Sequence, residues 1–198
     1  MKLEPHLSPL YLALIHSPVY DKNGNVVRTS LTPMDLHDIA RAACTYGVQA
    51  FYFVNPLASQ RALAQMIHDH WDAGFGARYN PNRKEAFGLV RISPDLEDTF
   101  RSIRQERGRP PRTVATSARI SAPDLDCGKL RELLGREPGQ PYLMLFGTGW
   151  GLLAETIETA DFRLAPIRGP GPYNHLSVRS AVAIFLDRLF GDRAEKSP

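Results

Sequence analysis

The sequence has few cysteines and no long apolar run. Among its 198 residues, only Cys44 and Cys127 are cysteines. Two lone cysteines, in a chain long enough to bury a full core, predict the reduced thiols of a cytoplasmic protein rather than a disulfide framework. No apolar stretch approaches the roughly 20 residues that cross a bilayer, and the first residues show no secretory hydrophobic region. We therefore expect a cytoplasmic protein without a membrane segment.

Patterns for metal binding and for a covalent nucleophile are also missing. His68 and His70 stand two positions apart on a predicted helix, so their side chains lie on different faces. His16, His37 and His175 have no cysteine or carboxylate at the spacing of a metal site. The chain has no Gly-x-Ser-x-Gly elbow and no cysteine in a reactive motif. We therefore expect no metal.

Strand-like and helix-like segments alternate along the whole chain. Apolar residues make up 43% and charged residues 23% of it, which is typical of a globular protein. The alternation predicts an α/β fold with a mostly parallel sheet and helices on both faces. We expect one domain over residues 1–198, with an ordered core of about residues 8–191 and frayed ends. Strands are predicted at 10–15, 48–54, 86–92, 113–118, 141–146 and 162–165, and helices at about 32–46, 59–73, 94–107, 125–134, 152–159 and 173–190.

Basic residues are concentrated in the middle of the chain. The formal net charge is +3, and five arginines fall between positions 101 and 112. Such a cluster is either a solvated helix face or a surface that contacts a nucleic-acid phosphate backbone, and the sequence leaves both alternatives open. The five are Arg101, Arg104, Arg107, Arg109 and Arg112.

Two loops rich in glycine or proline follow the last two predicted strands. They are Gly147-Thr-Gly-Trp-Gly151 and Pro166-Ile-Arg-Gly-Pro-Gly-Pro172. Strand ends followed by glycine loops are where α/β folds bind ligands, so we interpret the first as a ligand loop in preference to a plain turn. Its spacing does not fit a dinucleotide fingerprint, because Leu152 stands where the third glycine belongs. A nicotinamide-dependent oxidoreductase is therefore the least favoured hypothesis.

The last helix is predicted to begin near Tyr173, with Asn174 as its N-cap, since asparagine is a favourable cap residue. The preceding proline-rich loop cannot join a sheet or a helix, because proline has no backbone donor. We expect it to form a rigid wall.

The last quarter of the chain resembles the SPOUT class of S-adenosylmethionine-dependent RNA methyltransferases. Gly147-Thr-Gly-Trp-Gly-Leu152 is similar to the Gly-Ser-Glu-Gly-x-Gly-Leu loop of the class. Pro166-Ile-Arg-Gly169, followed by Leu176-Ser-Val-Arg-Ser-Ala-Val-Ala-Ile184, is similar to its third motif. Over roughly residues 8–191 the chain resembles a small family of SPOUT-like proteins that are sometimes fused to tRNA guanine-N1 methyltransferase. The matching segments are 37–41, 45–48, 79–81, 116–118, 146–152 and 173–180.

The resemblance implies a deep C-terminal trefoil knot and a homodimer whose interface lies beside the cofactor. It also implies that S-adenosylmethionine is bound after the fourth and fifth strands and before the last helix. Methyl transfer from a sulfonium requires alignment more than covalent help. The residues predicted to bind the cofactor are Thr116, Ser117, Phe146, Gly147, Thr148, Gly149, Trp150, Gly151, Leu152, Ile167, Gly169, Tyr173, Asn174, His175, Leu176 and Ser177.

The implied substrate and partner is an RNA, either tRNA or rRNA. We expect it to enter past the loop after the first strand and past residues 79–83, where tyrosines are available to stack a base. Arg28 and Asn174 are the candidate catalytic residues, Arg28 as the counterpart of an arginine that the class uses near its first strand. The residues predicted to bind the RNA are His16, Tyr20, Tyr79 and Arg83.

The sequence departs from the class at two points. Ser177 stands where the ribose-methylating branch has asparagine, and the glutamate of the glycine loop is missing. The methylated nucleotide and its acceptor atom therefore stay open. The departures also support an alternative hypothesis, a non-catalytic S-adenosylmethionine- or RNA-binding accessory protein on the same scaffold.

Overall fold

The computed structural model of the protein describes residues 7–191. Its strands are β1 (Leu10–Ile15), β2 (Val19–Tyr20), β3 (Val26–Val27), β4 (Ala50–Val54), β5 (Val90–Ser93), β6 (Arg112–Ala115), β7 (Tyr142–Gly147) and β8 (Phe162–Arg163). Its helices are α1 (Pro33–Thr45), α2 (Ala58–Asp72), α3 (Phe75–Tyr79), α4 (Pro81–Phe87), α5 (Leu96–Arg107), α6 (Cys127–Arg136), α7 (Ala154–Glu158) and α8 (Val178–Phe190). Within this range, six strands form one sheet in the order β5-β4-β1-β7-β6-β8, and each neighbouring pair is parallel.

Side chains of the sheet alternate between two buried apolar layers. In β1, Leu12 belongs to the layer covered by α1, α6 and α8, whereas Ala13 belongs to the layer covered by α5 and α7. A strand buried on both faces has apolar residues at every position, and all six residues of β1 are apolar and buried. The α/β fold with helices on both faces is therefore confirmed.

The region before β5 differs from the prediction. A strand was expected to begin at residue 86, but the helices α3 and α4 occupy residues 75–79 and 81–87. The side chain of Asn80 caps α4 by accepting the N–H of Arg83 at 3.1 Å, and Pro81 occupies the first helical position. Proline suits that position because its missing N–H would have no helical partner there.

The last helix begins later than predicted. Residues 173–177 are not helical, and α8 begins at Val178 with Ser177 as its N-cap. The hydroxyl of Ser177 accepts the N–H of Ser180 at 3.2 Å. The assignment of Asn174 as the cap is therefore wrong, because the chain after Pro172 runs as an extended segment before it turns into the helix.

The two chain ends were predicted to fray at residues 1–8 and 192–198. Most of these positions lie outside the described residues. Ser8, where the predicted ordered core begins, lies within them, and it is buried with its N–H donating to the carbonyl of Leu134 at 2.8 Å. The packed chain therefore begins by residue 8.

The short strand β8 is held on both of its edges. The N–H of Leu164 donates to the carbonyl of Ala115 at 3.0 Å, at the end of β6. On the opposite edge, the N–H of Ala165 donates to Leu125 at 2.7 Å, and the N–H of Asp124 donates to Arg163 at 2.9 Å. Residues 163–165 therefore pass between the two ends of the segment that connects β6 to α6.

The strand order also decides where loops converge. From β1 the chain proceeds to β4 and β5 on one side, and then crosses to β6 and β7 on the other. In parallel sheets, ligands bind at the carboxyl edge where the strand order reverses. The loops that follow β1, β6 and β7 meet at this edge.

Candidate cofactor site

A cavity of about 710 Å³ lies at the carboxyl edge, beside the ends of β6 and β7. This volume falls within the roughly 300–1,000 Å³ of small-molecule sites. Three segments form most of its wall, namely residues 116–119, 146–151 and 173–179. With the exception of Leu152 and Gly169, every residue that the sequence assigned to the cofactor lines this cavity.

The two exceptions have other positions. Leu152 is fully buried in the apolar layer under α5 and α7, where it forms a bridge with Val19. Gly169 is exposed on the proline-rich loop, and no atom lies within 4 Å of a Cβ added there. Ile167 is the residue of that loop that faces the cavity together with Pro166.

The glycines of the loop allow close approach of backbone to backbone. A Cβ on Gly147 would lie 2.5 Å from the backbone nitrogen of Leu152. A Cβ on Gly149 would lie 2.9 Å from the carbonyl oxygen of Tyr20, and Gly149 has a φ of +59°. Gly151 has a φ of +99°, a backbone conformation that side chains disfavour. The loop shape therefore requires glycine at these three positions.

Hydrogen bonds hold the glycine loop in place before any ligand binds. The N–H of Trp150 donates to the carbonyl of Tyr20 at 2.9 Å, and the N–H of Tyr20 donates to Gly151 at 3.0 Å. The N–H of Thr148 donates to the carbonyl of Ile15 at 3.1 Å. Because these groups are satisfied within the protein, the loop is preorganised and a ligand need not order it.

The floor of the cavity is polar, and its polar groups form hydrogen bonds within the protein. Thr116 is buried, and both its N–H and its hydroxyl donate to the carbonyl of Leu145, at 3.1 Å and 2.8 Å. Thr148 contributes its hydroxyl, which lies 2.5 Å from that of Thr29. Thr29 and the residues after it form a further wall, which the sequence did not indicate.

The rim of the cavity carries exposed aromatic rings. The ring of His175 lies between Trp150 and Tyr173, at centroid distances of 6.0 Å and 5.5 Å. Trp150 is 52% exposed and Tyr173 is 76% exposed. Apolar rings this exposed beside a cavity are available to contact a ligand or a second protein surface.

An ion pair closes one side of the cavity. Arg179 at the start of α8 donates to Asp35 at the start of α1 at 2.6 Å, and the Asp35 carboxylate is buried. The ion pair therefore joins the first turn of α1 to the first turn of α8.

The two candidate catalytic residues stand in different surroundings. Asn174 lines the cavity, and its amide donates to the carbonyl of Ala118 at 3.4 Å. Arg28 is exposed and does not line the cavity, although its neighbour Thr29 does. Within residues 7–191, the Arg28 guanidinium has no carboxylate partner.

His16 was predicted to contact RNA, and the structure contradicts this. The residue continues the hydrogen bonding of β1, since its N–H donates to Val54 at 3.0 Å. Its ring is fully buried, 4.7 Å from that of Phe53, and neither ring nitrogen makes a hydrogen bond. Burial lowers the pKa of His16 from 6.5 to about 4, although the nearby Leu14 backbone and the Asp35 charge raise it slightly.

The other predicted RNA contacts are spread over the surface. Tyr20 lies on the far side of the glycine loop, outside the cavity. Tyr79 is 77% exposed and stacks on Phe75 at 6.0 Å. Arg83 packs its guanidinium 4.7 Å above the ring of Trp71 and contacts His37 at 3.3 Å. The structure therefore gives Arg83 a packing role between α1, α2 and α4.

Ion pairs and hydrogen bonds occupy part of the central basic cluster. Arg107 donates to the hydroxyl of Tyr11 at 2.5 Å, and Arg112 pairs with Glu137 at 3.0 Å. Arg101 pairs with Asp98. Arg104 and Arg109 are exposed and do not line the cavity.

Neither a metal site nor a membrane helix is present in the part of the chain that the structure describes. Between residues 7 and 191, no three His, Cys, Asp or Glu side chains come together as metal ligands. None of the helices in this range is long and apolar enough to cross a membrane.

Comparison with known proteins identifies the family of this chain. Residues 9–191 match a family described as SAM-dependent RNA methyltransferases. Over 92% of its length the chain is 44% identical to a protein of Nitratidesulfovibrio vulgaris named tRNA (guanine-N(1)-)-methyltransferase, but it spans only 42% of that protein. It is 42% identical to an uncharacterized protein of Aquifex aeolicus, over 91% of this chain and 88% of the other.

Solved structures agree with this assignment at the level of the fold. The chain is similar to a SpoU methyltransferase of Streptomyces viridochromogenes in complex with AdoMet. The TM-score is 0.57 and the identity 17%, over 93% of this chain and 57% of the other. The resemblance drawn from the sequence, and the cofactor it implied, are confirmed. The chain therefore belongs to the family of SAM-dependent RNA methyltransferases.

Proposed function

We propose that the protein transfers a methyl group from S-adenosylmethionine to RNA. The observation that carries this proposal is the 710 Å³ cavity, whose walls are the three segments that the sequence assigned to the cofactor. The cofactor, when bound, supplies a methyl group activated by its sulfonium. The residues of this chain bind and orient the cofactor, and the cavity walls exclude water from the side of the cofactor that they cover.

The glycine loop fits a cofactor that lies close to the backbone. Gly147, Gly149 and Gly151 all line the cavity, and they let the loop backbone fold tightly against its own next residues and against Tyr20. Thr116 and Phe146 form the floor, and residues 173–177 form the opposite wall. Calorimetric titration with S-adenosylmethionine tests this step. We expect saturable binding, and a failure to bind at millimolar cofactor would refute the proposal.

We propose tRNA or rRNA as the acceptor. The name of the Nitratidesulfovibrio vulgaris relative supports a tRNA, although the chain spans 42% of that protein. A comparison of modified nucleosides in RNA from cells with and without the gene, by mass spectrometry, identifies the product. We expect one methylated nucleoside to disappear with the gene and to return when the purified protein and cofactor are added.

We propose that Asn174 positions the acceptor and that Arg28 binds the RNA beside it. The role of Asn174 is supported by its position on the cavity wall. The role of Arg28 is supported because its guanidinium has no carboxylate partner among residues 7–191 and because the next residue, Thr29, lines the cavity. We expect Asn174→Ala to lower kcat and Arg28→Gln to raise the KM for RNA. Lys129→Gln, at an exposed site of α6 outside the cavity and outside the central arginine cluster, is the control.

A non-catalytic accessory role is the second candidate function. It is supported by Ser177, which caps α8 at the position where the ribose-methylating branch has asparagine. If the protein binds S-adenosylmethionine but transfers no labelled methyl to bulk RNA from cells that lack the gene, this role replaces the enzymatic one.

We propose that the protein is a homodimer whose interface adjoins the cavity. The exposed side chains of Trp150, Tyr173 and Leu176 support this, because they form an apolar rim on one side of the molecule. Light scattering is expected to give twice the chain mass. A double change of Tyr173 and Leu176 to serine is expected to shift the mass to that of a monomer, and a monomeric native protein would contradict the proposal.

We also propose a single domain closed by a C-terminal trefoil knot. Residues 163–165 pass between Ala115 and Leu125, and the chain then continues to α8. This passage supports the proposed knot. Pulling on both ends of the chain distinguishes the topologies. A knotted chain is expected to reach a shorter contour length than an unknotted chain of 198 residues, and full extension would refute the knot.

A cytoplasmic location is part of the same proposal. It is supported by the two cysteines, which form no disulfide with each other. Cell fractionation tests it, and recovery of the protein outside the cytoplasm would contradict it.

A further inference from the structure

A second cavity, of about 550 Å³, lies on the other side of the glycine loop. It opens between the β2–β3 ribbon, the segment after β6 and the short helix α7. Its walls are Tyr20, Gly24, Arg119, Ile120, Ser121, Ala122, Leu152, Ala154, Ile157, Glu158 and Arg163. Leu152 is the one member of this lining that the sequence assigned to the cofactor.

Arg119 connects the two cavities, because it lines both. Its guanidinium lies 5.3 Å from the ring centroid of Tyr20, and one of its nitrogens lies 3.7 Å from the position of a Cβ on Gly151. Among residues 7–191 its side chain has no carboxylate partner, and the residue is exposed. The guanidinium therefore lies over an aromatic ring, on an exposed residue and without a carboxylate partner in the described part of the chain.

The charges of the second cavity do not suit a phosphate chain. The guanidinium of Arg163 is held by both oxygens of Asp124, at 2.8 Å and 2.9 Å. Glu158 places a negative charge on the same wall. The remaining surface is partly apolar, because Leu152 and Ile157 belong to the neighbouring apolar layer. Arg119, which has no carboxylate partner in the described range, lies beside apolar walls, and this combination suits a flat heteroaromatic ring with polar edges.

We propose that this second cavity receives the base of one unpaired nucleotide of the RNA, stacked on the guanidinium of Arg119. The inference rests on the proposed function for the choice of RNA as the ligand. Unpaired bases are recognised in proteins by stacking on aromatic rings or on arginine planes, and the second cavity offers both, with the Arg119 guanidinium 5.3 Å from the ring centroid of Tyr20. Since Arg119 also reaches the cofactor cavity, the bound base adjoins the site of methyl transfer.

The test measures the affinity of the protein for a fluorescein-labelled single-stranded RNA hexamer of mixed sequence, at saturating S-adenosylmethionine. Arg119→Gln removes the charge and the guanidinium plane, whereas Arg119→Lys keeps only the charge. Ala122→Phe fills the cavity from a wall that the cofactor cavity does not share. Lys129→Gln is the control, since it removes an exposed charge that lies outside both cavities and outside the central arginine cluster.

Stacking of one base on a planar side chain corresponds to about a 5- to 150-fold change in affinity. We expect Arg119→Gln, Arg119→Lys and Ala122→Phe each to weaken hexamer binding within this range, and Lys129→Gln to weaken it by about twofold or less. Full rescue by lysine would overturn the proposal, because it would indicate a phosphate contact. An unchanged affinity for Ala122→Phe, or an equal loss in the Lys129 control, would also overturn it.

A failure of this inference is distinguishable from a failure of the proposed function. Hexamer affinity requires no methyl transfer, and titration of Ala122→Phe with S-adenosylmethionine reports on the first cavity alone. We expect this variant to bind the cofactor with native affinity. Loss of cofactor binding in Ala122→Phe would overturn the separation of the two cavities and with it the proposal.

Discussion

Gly149→Ala tests directly whether the glycine loop forms the cofactor site. The added Cβ would lie 2.9 Å from the carbonyl oxygen of Tyr20, which is closer than real Cβ atoms approach. That carbonyl is fixed, because it accepts the N–H of Trp150 at 2.9 Å. The alanine must therefore displace either the Tyr20 carbonyl or the loop itself, and the loop is a wall of the cavity.

The expected loss of stability has two parts. A left-handed backbone costs a residue with a Cβ about 1–2 kcal/mol, and the loss of one hydrogen bond adds about 1 kcal/mol. We therefore expect Gly149→Ala to lower the free energy of unfolding by about 2–3 kcal/mol. Gly139 has a φ of +88° with no atom within 4 Å of an added Cβ, and it lies outside both cavities. Gly139→Ala therefore carries the backbone part alone, about 1–2 kcal/mol.

Two assays separate the effects. Urea unfolding measures the free energy of unfolding of each variant, and calorimetry measures the Kd for S-adenosylmethionine. We expect Gly149→Ala to raise this Kd about tenfold or more, which is about 1.4 kcal/mol, and Gly139→Ala to leave it unchanged. If Gly149→Ala bound the cofactor with native affinity, or lost no more stability than Gly139→Ala, the reasoning would be refuted.

Three further predictions concern groups around the cavity. Arg179→Ala leaves the Asp35 carboxylate buried without its partner, so urea unfolding should show a loss of about 3 kcal/mol; a loss below about 1 kcal/mol would contradict this. His16 has a pKa lowered from 6.5 to about 4, so between these two pH values the unfolded state binds a proton that the folded state does not. The free energy of unfolding should be highest above pH 6.5 and should fall by about 2 kcal/mol by pH 4.5. In His16→Phe this decline should be smaller, and an equal decline in the variant would exclude His16 as its cause. Thr148→Val removes the hydroxyl that contacts Thr29 and should lower the free energy of unfolding in urea by about 1 kcal/mol. Calorimetry should also show weaker binding of S-adenosylmethionine. A native free energy of unfolding together with native affinity would refute the role of this contact.

The strands were predictable because the sheet is covered on both faces. Burial of both faces requires an apolar residue at every position, which leaves a continuous apolar run such as residues 10–15. Helix boundaries were less predictable. Both Asn174 and Ser177 are good cap residues, and only the path of the chain across the cavity selected Ser177.

His16 was misassigned for a related reason. In the sequence it follows the apolar run and precedes a long loop, which is typical of a residue at a binding edge. In the structure its backbone continues the sheet by bonding to Val54, and this turns the ring into the core against Phe53. A pairing with a strand that is distant along the chain decided its position, and periodicity does not report such a pairing.

The cofactor segments and the RNA methyltransferase family were predictable from the resemblance to the SPOUT class, because the two motifs that carry it, and their order, are properties of the chain itself. The ion pair between Asp35 and Arg179, and the stacking of Arg119 on Tyr20, depended on folding. Their partners are far apart in sequence and meet only when parallel strands bring their carboxyl ends to one edge. The sequence motifs, through their resemblance to a known class, thus indicated the loops that line the first cavity, whereas long-range contacts decided what else surrounds it and placed a second cavity beside it.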